Sequence, residues 1–399
     1  MARVFIIDPV CAMEYGHSLN ALKYFADLAS HHFDEVNMVA SQHLPRPADG
    51  SDDGVIRFFD FHYDYVLKID RAPAPLELMH VPGQRLSPEA AATVEFSRFM
   101  TAYDIGPEDT LLYPSIDHYS ALSLANVVGG LHPHQCPALL VRMIAVMEMT
   151  ALNMTNPDAF TVVIDRLKGL LNVGLPLSIC AETPTFGNVL RQRLGQPVHI
   201  VPYFAPGIDP LDIPQDGPIT FLSGGSARPD KGFFRLKPII EGVLTRLDPS
   251  QVRFIIQGPP DATFAAHTDY MRWLYSLPNA EILPGQVPYT EIVRSFRDSH
   301  VALMPYAQDV YANRGSAMLM EALMFGRLAI CQAGTGFADQ ARLYNAGATC
   351  GTEEDFADAI VMFAQKSPGM IREQAALARR YYLEDVDRSC KAWIKAEAA

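Results

Sequence analysis

Short apolar runs that do not alternate with polar residues recur along the chain, separated by longer stretches of helical periodicity. In the first half they fall at residues 4–7, 35–39, 110–113, 138–146, 177–180 and 198–201. Such runs suit strands covered on both faces, and strands separated by helical stretches pair in parallel through crossover helices. A proline-rich, acidic passage follows at 202–218. Repeated prolines remove backbone donors and fix φ, so this passage reads as an interdomain linker. The rhythm then restarts, with runs at 219–222, 252–256, 280–283, 301–304 and 328–331, and residues 370–395 carry a helical pattern. The expected fold is α/β: two doubly wound, Rossmann-like domains facing each other across a cleft, at 1–205 and 206–370. A last helix, 371–399, is expected to pack back on the first domain.

Composition agrees with that division, because 399 residues exceed what one core usually organises. Hydrophobic residues make up 49% and charged residues 19%, as in a globular protein. The net charge of −13 opposes a broad nucleic-acid surface, which needs clustered Lys and Arg. Six scattered cysteines form no CxxC pair, so neither a metal site nor a disulfide framework is expected. The opening apolar run is too brief for a signal-peptide core. The most apolar stretch, 137–152, is interrupted by Arg142 and Glu148 and falls short of the roughly 20 residues that cross a bilayer. A cytoplasmic protein without a transmembrane segment is the expectation.

The chemistry concentrates in the second half. Residues 219–232 read ITFLSGGSARPDKG: an apolar run opens into a loop with Gly224, Gly225, Arg228 and Lys231, and a helical pattern follows. Glycines let the backbone approach an anion, amides at a helix start point toward it, and two cations share its charge. The plainer reading is an ordinary strand-to-helix turn with two solvated basic residues. A second cluster, 307–336, joins a loop, a helix and a strand. Gly315 and Ser316 sit where the helix begins, Ser316 serving as N-cap, and Gly326 ends it. Glu321 stands in the apolar run MLMEALMF, where a buried carboxylate needs strong hydrogen-bond donors such as a ribose diol. It could equally sit at the helix margin, facing solvent or an arginine.

The order of VPYFAPGID, GGSARPDKG, FIIQG, ILPGQVPYTEIVRSFRDSHVALMPY and NRGSAMLMEALMFGRLAI resembles the GT-B fold retaining glycosyltransferases of the glycogen-synthase-like group, often called family 4. The match covers most of residues 198–350. The resemblance implies that Arg228 and Lys231 bind the donor diphosphate and take part in catalysis, and that Glu321 binds the ribose. It sets Gln257, Gly258, Gln286 and Val287, with Gly285, at the walls for the nucleotide base. The first glutamate of the family's pair falls on Asn313, an amide that can hydrogen-bond donor hydroxyls or be a plain loop residue. Arg314 beside it faces donor phosphate or a charged sugar.

The first half matches less closely. Gly16 and His17 resemble the family's glycine loop, His17 being either a phosphate contact or a helix cap. Ser115, Asp117 and His118 gather after the run TLLY, where the family often carries a histidine near the reacting sugar, so Asp117 and His118 are catalytic candidates. Asp117 could be only a helix N-cap, and Glu148 is a weaker cleft-edge candidate.

The implied activity is retaining transfer of a hexose from a nucleotide diphosphate sugar to a hydroxyl of a glycan or other acceptor, as in polysaccharide biosynthesis. The sugar nucleotide is the co-substrate, with no further cofactor and no metal. Lipid-linked acceptors and peripheral membrane contact are compatible with this type of enzyme. A sugar-nucleotide epimerase, or a silent relative that only binds a nucleotide sugar or glycan, are the alternatives.

Overall fold

A computed structural model describes residues 2–13, 17–67, 74–148, 158–203, 209–225, 227–258, 268–285 and 287–398. The chain divides into two units: one of Met1–Glu182, Phe186–Pro206 and Arg388–Ala399, the other of Thr183–Thr185 and Gly207–Asp387.

The first unit holds β1 (Arg3–Asp8), α1 (His17–Ala29), β2 (Glu35–Ser41), β3 (Val55–Phe59), α2 (Pro88–Ala102), β4 (Asp109–Tyr113), α3 (His118–Val128), β5 (Ala138–Met143), α4 (Ala159–Asn172), β6 (Leu177–Ala181), α5 (Pro184–Leu194) and β7 (His199–Ile200). Its strands pair in parallel in the order β3-β2-β1-β4-β5-β6-β7. The non-alternating runs explain this: β4 is buried at every position and β1 at all but Arg3, so both need helices on two faces. Phe5 and Phe99 meet edge to face at 5.6 Å in the core under α2. Arg3 is the polar exception, and it fixes register by pairing with Asp109 of β4 at 2.7 Å.

The second unit continues with β8 (Ile219–Ser223), α6 (Leu236–Leu244), β9 (Val252–Gln257), α7 (Thr268–Tyr275), β10 (Ala280–Leu283), α8 (Tyr289–Arg297), β11 (Val301–Met304), α9 (Gln308–Tyr311), α10 (Ala317–Met324), β12 (Leu328–Gln332), α11 (Gly336–Leu343), β13 (Gly347–Cys350), α12 (Glu353–Ala364) and the start of α13 (Pro368–Ala398), whose residues from Arg388 on belong to the first unit. Its parallel order is β10-β9-β8-β11-β12-β13. Both sheets are doubly wound, and in each the strand order reverses once, between β1 and β4 and between β8 and β11. Ligands of open α/β sheets bind outside the carboxyl ends of the strands at such a reversal.

Three differences from the sequence expectation have simple causes. β3 was not foreseen because it is an edge strand, half-buried through its middle and carrying Arg57. β13 is four residues long and begins at Gly347, whose φ of 141° and approach to Ala329 leave no room for a side chain. β5 stops at Met143, and Ala145–Glu148 form a separate 3₁₀ turn.

The expected linker falls partly outside the described residues, at 204–208. Its second half is strapped to the second unit. Arg327, fully buried, donates to the carbonyls of Leu211 at 3.0 Å, Asp212 at 2.8 Å and Phe296 at 2.6 Å. Burial lowers its pKa to about 10, so it stays charged at neutral pH. His300 accepts from the Thr220 amide through Nδ1 and donates through Nε2 to the Pro214 carbonyl. Burial, helped by the nearby Arg327 charge and opposed by the Pro214 carbonyl, pushes its pKa down to about 4 and keeps it neutral. In the first unit, Trp393 of α13 packs edge-on against Phe25 of α1 at 6.0 Å.

Candidate functional site

The second sheet's reversal point gathers most of the candidate donor residues. β8 runs into Gly224 and Gly225, where an added side chain would displace the tip of a neighbouring one. A Cβ on Gly224 would lie 2.8 Å from Cε of Met318 in the first turn of α10, and one on Gly225 would lie 2.7 Å from Lys231 Nζ. Gly225 also has φ of 85°, which favours glycine. The loop then turns through Arg228 and the 3₁₀ turn Pro229–Lys231 to Gly232 at φ 74°, where a Cβ would strike the Pro305 carbonyl at 2.0 Å. The glycines therefore bring this backbone against both the end of β11 and the start of α10.

Lys231 extends over the Tyr306 ring, its Nζ 5.9 Å from the centroid. Burial lowers its pKa, with Arg228 adding to the effect and Asp230 and Glu321 opposing it. The ammonium is thus partly desolvated beside a second cation, an arrangement that an anionic ligand relieves. Glu321 is half-buried on α10, and burial pushes its carboxyl up to about 7 while Lys231 pulls it down. Ser316 is the N-cap of α10, its Oγ accepting from the Leu319 amide at 3.4 Å. Gly315 is buried beside it.

Asn313 and Arg314 are half-buried on the same loop, whose backbone abuts Gly336 at the start of α11. The Arg314 guanidinium lies over the Tyr311 ring, 5.4 Å from its centroid. At the end of β9, Gln257 donates to the Gly285 carbonyl at 2.7 Å and the Gly258 amide to the Leu283 carbonyl at 2.8 Å, which joins the two segments expected to wall the base. Val287 is half-buried in that turn; Gln286 lies outside the described residues.

In the first unit the candidates are engaged with their own fold. Asp117 caps α3, one oxygen accepting from the amides of Tyr119 at 2.8 Å and Ser120 at 3.0 Å. His118 is buried with Nε2 3.0 Å from the Met147 carbonyl, and burial lowers its pKa against the opposing charge of Asp117. Gly16 lies outside the described residues, His17 opens α1, Ser115 is half-buried, and Glu148 ends the 3₁₀ turn after β5. A cavity of about 190 Å³ lined by Leu177, Leu194 and His199 opens at the amino end of β6, the wrong end for a ligand of this sheet.

Sequence reasoning missed Asp8, whose buried carboxyl is pushed up to about 6, and His62, 2% exposed with Nε2 3.2 Å from Ser120 Oγ. It also missed Asp230, Tyr306 and Tyr311, which surround the two cations. Asp8 and Tyr306 had a signal, since each stands at the carboxyl end of a strand beside the reversal.

No family model and no curated protein matches the chain. Solved structures do. A sucrose-phosphate synthase from Thermosynechococcus elongatus is 12% identical, with 99% of this chain and 98% of that one covered at a TM-score of 0.66. A trehalose-6-phosphate protein from E. coli bound with UDP-2-fluoro glucose is 11% identical, covering 100% and 99% at 0.64. A trehalose-6-phosphate synthase studied for glycosyltransfer with retention is 9% identical, covering 99% and 98% at 0.63. At such identities the likeness is one of fold, and the fold of this chain is that of the GT-B glycosyltransferases.

Proposed function

We propose that the chain is a retaining glycosyltransferase that moves a hexose from a nucleoside diphosphate sugar to a hydroxyl of a glycan or other acceptor. One observation carries the reading: Gly224, Gly225, Lys231 and the first turn of α10 come together at the reversal of the second sheet, with Arg228 beside them. Glycosyl transfer requires stabilisation of the leaving diphosphate as the glycosidic bond breaks. Lys231, Arg228 and the free amides of α10 supply fixed positive potential where that charge develops. Glu321, near the midpoint of its titration at neutral pH, accepts hydrogen bonds from a ribose diol once it ionises. The segments joined through Gln257 and Gly285 flank the base. Retention follows the same-face course, in which departing phosphate helps deprotonate the acceptor and no protein nucleophile is needed. We place the acceptor side at the carboxyl end of β4, where Asp117 and His118 stand. The full-length likeness to a protein holding UDP-2-fluoro glucose supports a uridine or related donor.

A thermal-shift screen against UDP, GDP, ADP, dTDP and their sugars tests this. A ligand at 100 times its dissociation constant adds about 2.7 kcal/mol of stability, a plain rise in Tm. A flat response across the panel sinks the proposal. Incubation of the stabilising sugar nucleotide with and without acceptors then separates transfer from epimerisation and from binding alone.

A further inference from the structure

The arginine of this loop is held by a partner the sequence gives no reason to expect. Tyr311, on α9, is 6% exposed, and its ring packs against Tyr306 at 4.9 Å and Phe337 at 6.0 Å. Its hydroxyl lies 3.0 Å from Arg228 Nη2 and 3.1 Å from Asp230 Oδ2, and Nη2 is itself 2.8 Å from Asp230 Oδ2. A phenol has one proton to give; here it goes to the carboxylate, and the phenolic oxygen accepts from the guanidinium. The three groups therefore close a ring of hydrogen bonds around one arginine nitrogen. Nε and Nη1 make no hydrogen bond to any described residue, and the Arg228 side chain is 49% exposed.

An exposed Arg–Asp pair two residues apart holds neither side chain in one geometry, because solvent competes for both and rotamer freedom opposes pairing. A hydroxyl on a buried ring that cannot turn away removes that freedom. We propose that Tyr311 is a positioning residue: it clamps Nη2 so that the Nε–Nη1 edge of Arg228 is presented, ready-made, to the donor diphosphate. Planar two-point recognition of phosphate depends on such a fixed fork, and ordering it before the ligand arrives removes a cost from binding. This inference rests on the donor reading above.

Isothermal titration calorimetry on the full chain decides it, using inorganic pyrophosphate and whichever of UDP, GDP, ADP and dTDP the wild-type protein binds. Tyr311→Phe removes one oxygen from a packed ring and is expected to weaken the nucleotide about five-fold with Tm little changed. Arg228→Ala weakens it about ten-fold, and the double variant binds no worse than Arg228→Ala alone, because Tyr311 acts through the arginine. Wild-type affinity in Tyr311→Phe, or losses that multiply in the double variant, overturn the assignment while leaving the donor reading intact. A wild-type protein that binds none of the probes overturns both. As a second measurement, ¹⁵N relaxation of the Arg228 Nε–H in ligand-free protein is expected to show an ordered side chain in the wild type and a mobile one in Tyr311→Phe; equal order in the two rejects the clamp.

Discussion

At the reversal of the first sheet, between the carboxyl ends of β1 and β4, two carboxylates are engaged by their own fold. Asp8 accepts from the Val10 and Cys11 amides, and Asp117 caps α3 and takes the Ser120 hydroxyl. At the reversal of the second sheet, between β8 and β11, two cations, Lys231 and Arg228, are backed by the aromatic residues Tyr306 and Tyr311 and lie beside glycines over which the Met318 and Lys231 side chains close. Six strands of the first sheet follow the same order as the second, so topology alone does not separate the proposed anion grip from a capped helix. The loop residues do: glycines with an aromatic-backed cation on one side, a small polar cap on the other.

The comparison breaks most severely if the second unit's loops keep their shape without Arg327. Arg327→Ala removes a fully buried side chain that ties the Leu211, Asp212 and Phe296 carbonyls together and leaves a cavity in its place, and the expected loss is about 3–5 kcal/mol, read by chemical denaturation. Next comes the cation itself. Lys231→Ala is expected to reduce kcat/KM for the sugar nucleotide by about 1.5–3 kcal/mol, roughly 10- to 150-fold, with most of the loss in kcat. Unaltered turnover would remove the functional contrast between the two sites.

Proton linkage sharpens it. The Glu321 carboxyl titrates at about 7 folded against 4.5 in the open chain, so the folded state holds the proton more tightly. Its contribution is complete below pH 4.5 and is lost as pH rises through 7; Glu321→Gln flattens that part of the stability profile by about 1–3 kcal/mol. Asp8 has the same sign over a lower window, 3.8 to about 6, so Asp8→Asn flattens the profile there. The smallest effect belongs to Asp117. Asp117→Ala costs about 1 kcal/mol as a lost cap, whereas Asp117→Asn, an equally good cap, keeps the Tm. If turnover nevertheless falls in Asp117→Asn, the carboxylate acts on the acceptor; equal turnover leaves it a cap.

Much of this was readable beforehand. β11 and β12 fall where the apolar runs at 301–304 and 328–331 placed them, because a strand buried on both faces must be apolar throughout. β3 and β13 escaped because the first carries Arg57 amid its half-buried positions and the second is four residues long and opens on Gly347, so neither presents an apolar run. Gly224, Gly225, Lys231 and Ser316 were legible as a glycine turn with a cation and as a helix start, since both are built from consecutive residues. Tyr311 was not, as nothing in YAN marks a clamp on an arginine 83 positions away.

Local spacing thus determined the strands, the glycine turns and the cap of α10, because these depend on neighbours within a few residues. Only tertiary structure decided that Met318 closes over Gly224, that Lys231 rests on Tyr306, and that Asp230 and Tyr311 share Arg228. Those relations join residues 75 to 94 positions apart in the chain, and side-chain direction across such a separation is set by how β8 and β11 pair.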